Sequence, residues 1–145
     1  MSRSDLPLCP SAQPEWEGSV AIGVVGGTAE EPRVTPLEQP VVVSKELLAL
    51  AQPVKPTEVF RFAAPCMCGG CQHFKESKCN LATKIVQMLP QVTDDLPPCE
   101  IRPQCRWFMQ EGKEACMRCP QVVTNNYNPS ETMLVAADPT TPVSR

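Results

Sequence analysis

Nine cysteines are the residues of this sequence best able to do chemistry, and eight of them fall between positions 66 and 119. Cys66, Cys68, Cys71, Cys79, Cys99, Cys105, Cys116 and Cys119 read C-x-C-x2-C-x7-C, a gap of nineteen, then C-x5-C-x10-C-x2-C. Thiolates bind soft metals, and eight ligands grouped as four and four match two tetrahedral centres, each joining a tight cluster or pair to more distant cysteines. The Cys68-Gly69-Gly70-Cys71 step supplies glycines where backbone must wrap a metal closely. His73 follows two residues after Cys71 and can replace one thiolate.

Zinc and iron–sulfur clusters both accept four thiolates. Zinc, at about two sites, is the favoured cofactor because it is the common staple of a small fold with wide, unequal ligand gaps. The closely set Cys66, Cys68 and Cys71 with a distant fourth, and the Cys119-Pro120 step, point to the alternative, an iron–sulfur cluster. The sequential partition puts Cys66, Cys68, Cys71 and Cys79 on one metal and Cys99, Cys105, Cys116 and Cys119 on the other. An interleaved partition closes longer loops and is the competing arrangement. Cys116-x-x-Cys119 is read as a ligand pair rather than a redox-active dithiol, because no helix extends from the second cysteine in the way such pairs require. Cys9 stands apart and is read as a bystander.

These ligands need elements to hold them. The sequence predicts a helix over 80–90, with Asn80 as cap, Leu81, Ile85 and Met88 or Leu89 at helical spacing, and Pro90 as the stop. A second helix is expected over 103–112, begun by Pro103 and ended by Gly112, with Cys105, Phe108 and Met109 on one face. "KEACMRCP" then reads as a hairpin or knuckle. Upstream, "SKELLALA" at 44–51 has an N-cap serine and about two turns of helical pattern.

The expected architecture is therefore a small, irregular metal-stapled, cysteine-rich domain with two short helices, flanked by flexible proline-rich arms. Its parts are an acidic, largely disordered arm at 1–59, the metal-binding module at 60–124 and a flexible tail at 125–145. Eight of the 17 prolines lie within 1–57, and aromatic residues make up only 5% of the chain. Such a segment has little apolar surface to set against a backbone ordering entropy of roughly 1–2 kcal/mol per residue.

Charge narrows the partners. Residues 1–59 carry a net −4 and residues 60–125 a net +2. A surplus that small is weak support for nucleic acid, which is met by a basic stripe. No stretch has the pattern of a signal peptide or a membrane span, so the expected setting is cytoplasmic, where thiols stay reduced and clustered cysteines hold metal. Arg102, Arg106 and Trp107 are candidate partner-binding residues, for a protein first and for single-stranded nucleic acid second. The single histidine and the absence of nucleotide-binding, Ser/His/Asp or zinc-protease motifs argue against an enzyme. The expected function is a structural protein-interaction or regulatory module stabilised by zinc. The alternative is an iron–sulfur electron-transfer or redox-sensing protein, and the third reading a small nucleic-acid-binding zinc protein.

Overall fold

The structure is a computed structural model describing residues 6–28, 31–66, 73–75, 78–96, 98–122 and 131–138. Strands β1 (Leu8–Ala12), β2 (Val20–Gly27), β3 (Pro32–Val42) and β4 (Phe60–Pro65) form an antiparallel sheet in the order β1-β4-β2-β3. Between β3 and β4 lie two short helices, α1 (Lys45–Ala49) and α2 (Pro56–Val59). A small hairpin of β5 (Phe74–Lys75) and β6 (Lys78–Cys79) leads into α3 (Asn80–Met88). A 3-10 turn at Arg102–Gln104 precedes α4 (Arg106–Glu111) and α5 (Lys113–Arg118), followed by a second 3-10 turn at Cys119–Gln121 and by α6 (Glu131–Ala137). No described helix is long and apolar enough to cross a membrane.

The sheet differs from the arm-and-module expectation. Residues 8–42 supply three of its four strands, and β4, at the start of the expected module, is an internal strand flanked by β1 and β2. A boundary at 59/60 would cut through this sheet. The prolines of β3 are tolerated because it is an edge strand with β2 as its single neighbour, and edges accept residues lacking an N–H. Its register jumps from Val41 opposite Ala21 to Pro36 opposite Gly23, so Leu37–Pro40 fall in an irregularity of the ladder.

Both faces of the sheet are covered. Phe60, Phe62 and Ala64 point to one side, where they pack with Ala12, Ala21 and Ala51 and are flanked by Trp16, Leu47 and Leu48. The Phe60 and Phe62 rings meet edge to face at 6.2 Å. Ala63 points to the other side, into a core of Cys79, Ala82, Ile85, Leu89, Ile101, Cys105, Trp107, Ala115 and Val122, with Leu8, Val20 and Ile22 packed against it. Alternation along a strand thus feeds two cores. Phe62 is 1% exposed, and burying such a ring stabilises by roughly 1.5–3 kcal/mol.

Helix signals were readable at several points. Ser44 caps α1, its Oγ accepting from the Leu47 amide at 3.1 Å. In α3 the cap is Cys79 rather than Asn80, and the helix ends at Met88, two residues before Pro90. The expected helix at 103–112 is divided into the 3-10 turn and α4, and "KEACMRCP" is helical where a knuckle was expected. The 125–145 tail contains α6, whose Ala136 is fully buried; the Lys84 Nζ donates to the Asp138 carbonyl at 2.6 Å, just beyond that helix. A cation at this end complements the helix dipole.

Candidate metal centre

Three turns of chain deliver the second group of cysteines to one place. Cys105 is the N-cap of α4, and Leu8 of β1 forms an isolated bridge with it. Gly112, at φ 72°, ends α4 and starts α5, a reversal in the left-handed region that a side chain would strain. α5 carries Cys116 and passes into the turn opened by Cys119, with Pro120 inside its first turn. Cys99 lies on irregular chain before Ile101, its carbonyl accepting from the Arg102 amide at 3.3 Å.

Cys99, Cys105, Cys116 and Cys119 all line one cavity of about 40 Å³, walled by Pro10 and Ile22 from the sheet and by Ile101, Trp107, Phe108 and Ala115. Arg102 reaches the same wall. The four thiols are carried as free cysteines. Burial pushes the Cys105 thiol up to about 12; the Phe108 and Trp107 amides and the Arg61 charge oppose this, while Cys119 adds to it. Burial likewise raises Cys119, with Arg61 opposing and Cys99 and Cys116 reinforcing the rise. Burial therefore favours the protonated form of Cys105 and Cys119, and positive charge is what would hold them as thiolates.

One positive charge is already there. Arg61 of β4 is 4% exposed and turns away from Phe60 and Phe62 into the cysteine side. Its Nε donates to the Pro10 carbonyl at 2.7 Å and its Nη1 to the Cys119 carbonyl at 2.7 Å. Its guanidinium stacks over Trp107, 5.3 Å from the ring centroid. Arg61 Nη2 and Trp107 Nε1 are both buried without a hydrogen-bond partner among the described residues. No group of three or more His, Cys, Asp or Glu side chains among the described residues is set to hold a metal ion.

The first cysteine group is described in part. Cys68 and Cys71 lie outside the described residues. Cys66 is buried just past β4, its amide donating to the Pro7 carbonyl at 2.8 Å. Cys79 is clamped by Gln110 of α4, whose Oε1 accepts from the Cys79 amide at 2.8 Å and whose Nε2 donates to the Cys79 carbonyl at 2.9 Å. His73 is half-buried, and burial, then the charge of Lys84, lowers its pKa.

The partner-binding candidates separate. Trp107 is 2% exposed and belongs to the core, so it has no face to offer an incoming base or protein. Arg106 stacks over the Phe74 ring at 5.2 Å, linking α4 to the small hairpin. Cys105 is buried and Phe108 half-buried as expected of a shared face, whereas Met109 is 63% exposed. Cys9 sits in β1 opposite Ala64. Arg61, Pro10 and Ile22 were not singled out as site residues from sequence. The alternating "FRFA", with one charge between two phenylalanines, was the available signal for Arg61. No family model, curated sequence or solved structure matches this chain.

Proposed function

We propose that the chain is an iron–sulfur protein, with Cys99, Cys105, Cys116 and Cys119 as the ligands of one cluster and electron transfer or redox sensing as its role. The observation that carries this reading is that Cys99, Cys105, Cys116 and Cys119 all line a single apolar cavity. Zinc holds its sulfurs about 2.3 Å away and draws them onto a point. A cluster spreads its anchoring sulfurs around a cage and needs enclosed space, low dielectric and N–H donors. Cys66, Cys68, Cys71 and Cys79 form a second four-thiolate set in this proposal, supported by spacing alone. Cys99, Cys105, Cys116 and Cys119 would hold the cluster, which would supply one-electron transfer, so the expected partners are other proteins.

Zinc is the second reading, in which the chain is a metal-stapled interaction module. It is favoured by the wide, unequal ligand gaps and by the position of Cys99 on irregular chain. Metal and sulfide analysis with a visible spectrum, on full-length protein purified without oxygen, separates the two. Brown protein with iron and matching sulfide supports the cluster. Colourless protein with about two zinc per chain refutes it in favour of the second reading, and metal-free oxidised thiols refute both.

A further inference from the structure

We propose that Cys116 and Cys119 are a disulfide-forming pair, which the metal-free chain closes against glutathione disulfide more readily than the same residues do outside the fold. The pairing goes beyond the cluster reading and does not depend on it. Cys116 lies in α5, and Cys119, three residues on, is the C-cap of that helix at φ −54° and ψ −41°, its amide donating to the Ala115 carbonyl. Arg118, between them, is also in the right-handed helical region, at φ −108° and ψ −18°. Positions three apart on a helical turn have Cα atoms roughly 5 Å apart, inside the roughly 4.4–6.8 Å that a disulfide spans. A helix does adjoin the pair, but before its second cysteine rather than after it.

The rest of the chain holds this turn in place. The Met117 carbonyl accepts from the Val92 amide at 2.9 Å. Arg118 Nε donates to the Leu89 carbonyl and its Nη1 to the Glu114 carbonyl, both at 2.9 Å. The Cys119 carbonyl accepts from Arg61 Nη1 at 2.7 Å and from the Val122 amide at 3.0 Å. A free peptide must fix these backbones before it can close a ring over the two cysteines, whereas folding has already done so here. Both residues line the apolar cavity, where a disulfide adds a neutral bond with no charge to solvate. Both are half-buried and open to attack, while Cys105 is buried and Cys99 sits on a separate, irregular segment. The reaction runs in two exchanges. The thiolate of one cysteine attacks a sulfur of glutathione disulfide, forming a mixed disulfide and releasing one glutathione thiolate. The thiolate of the other cysteine attacks the protein sulfur of that mixed disulfide, closing the Cys116–Cys119 bond and releasing the second glutathione. The two thiol protons pass to the two glutathione thiolates, so the protein loses two electrons and the glutathione disulfide gains them.

The test takes the full chain, reduced and stripped of metal with a chelator, and equilibrates it without oxygen in a series of buffers of glutathione and glutathione disulfide. A synthetic peptide covering 113–121 passes through the same buffers. Acid quenching and peptide mapping read the linkage, because trypsin cuts after Arg118 and so separates the two cysteines. The expected result is a Cys116–Cys119 link whose exchange equilibrium lies about tenfold or more further toward the disulfide than the peptide's, which is about 30 mV for this two-electron couple. An equilibrium no further toward the disulfide than the peptide's overturns the proposal, and so does a chain whose first link joins other cysteines. Metal content does not enter this readout. A chain found to hold no iron can still close the link, and a chain that holds a cluster can fail to close it once stripped, so failure of the pairing and failure of the cluster reading are separate results.

Discussion

Removing residues 1–59 should unfold what remains. Phe60 and Phe62 pack against Ala12, Ala21 and Ala51, all within the deleted segment. Exposing both rings costs roughly 3–6 kcal/mol at about 1.5–3 kcal/mol each. Arg61 Nε loses its acceptor on Pro10, and an unsatisfied buried donor adds about 1–3 kcal/mol. The total, about 4–9 kcal/mol, is comparable with the entire stability of an ordinary domain, about 5–15 kcal/mol. The cavity also loses Pro10 and Ile22 from its wall. Urea unfolding followed by circular dichroism, on chains with and without residues 1–59, measures this directly. The shortened chain is expected to show no cooperative transition and to react rapidly with iodoacetamide at Cys105 and Cys119. A cooperative transition at the full-length midpoint would refute the account of β1 to β3 as structural partners of β4.

Gln110→Ala removes both side-chain bonds to the Cys79 backbone and should cost about 1–3 kcal/mol, read as a lower urea midpoint with faster hydrogen exchange at the Cys79 amide; an unaltered exchange rate there would contradict the clamp. In the metal-free chain, the Cys105 thiol ionises near 9 when unfolded but near 12 when folded, so its contribution is fully present below pH 9 and is lost as pH rises toward 12. The expected slope is up to about 1.4 kcal/mol per pH unit, and Cys105→Ala should flatten it; the same slope in that variant would show that other groups cause it.

What could be read from sequence was local. Ser44, Ile85 and Gly112 act through neighbours three or four residues away, and each has the expected kind of place in a helix or at its end. The sequential partition of the cysteines grouped four that the structure places around one cavity. The pairing of the sheet was not legible because it joins residues far apart, such as Cys9 with Ala64 and Val20 with Ala63. Pro32, Pro36 and Pro40 read as breakers, since no local pattern announces that their strand will be an edge with an irregularity. Trp107 and Arg61 were ambiguous for the same reason. Their roles come from facing each other across a core, which neither residue's neighbours in sequence reveal.

The two carbonyls held by Arg61 lie on Pro10 and Cys119, near opposite ends of the described chain. On a ribosome adding about 5–20 residues per second, the first strand emerges seconds before β4, and β4 emerges seconds before the last cysteine of the cavity. During that interval β1 to β3 must wait with apolar faces uncovered, and the four cysteines of the cavity are not yet all present. Under the proposed reading, loading of this centre would be a late event in biosynthesis, and the nascent chain is most exposed to aggregation or premature thiol oxidation before residue 119 has left the ribosome.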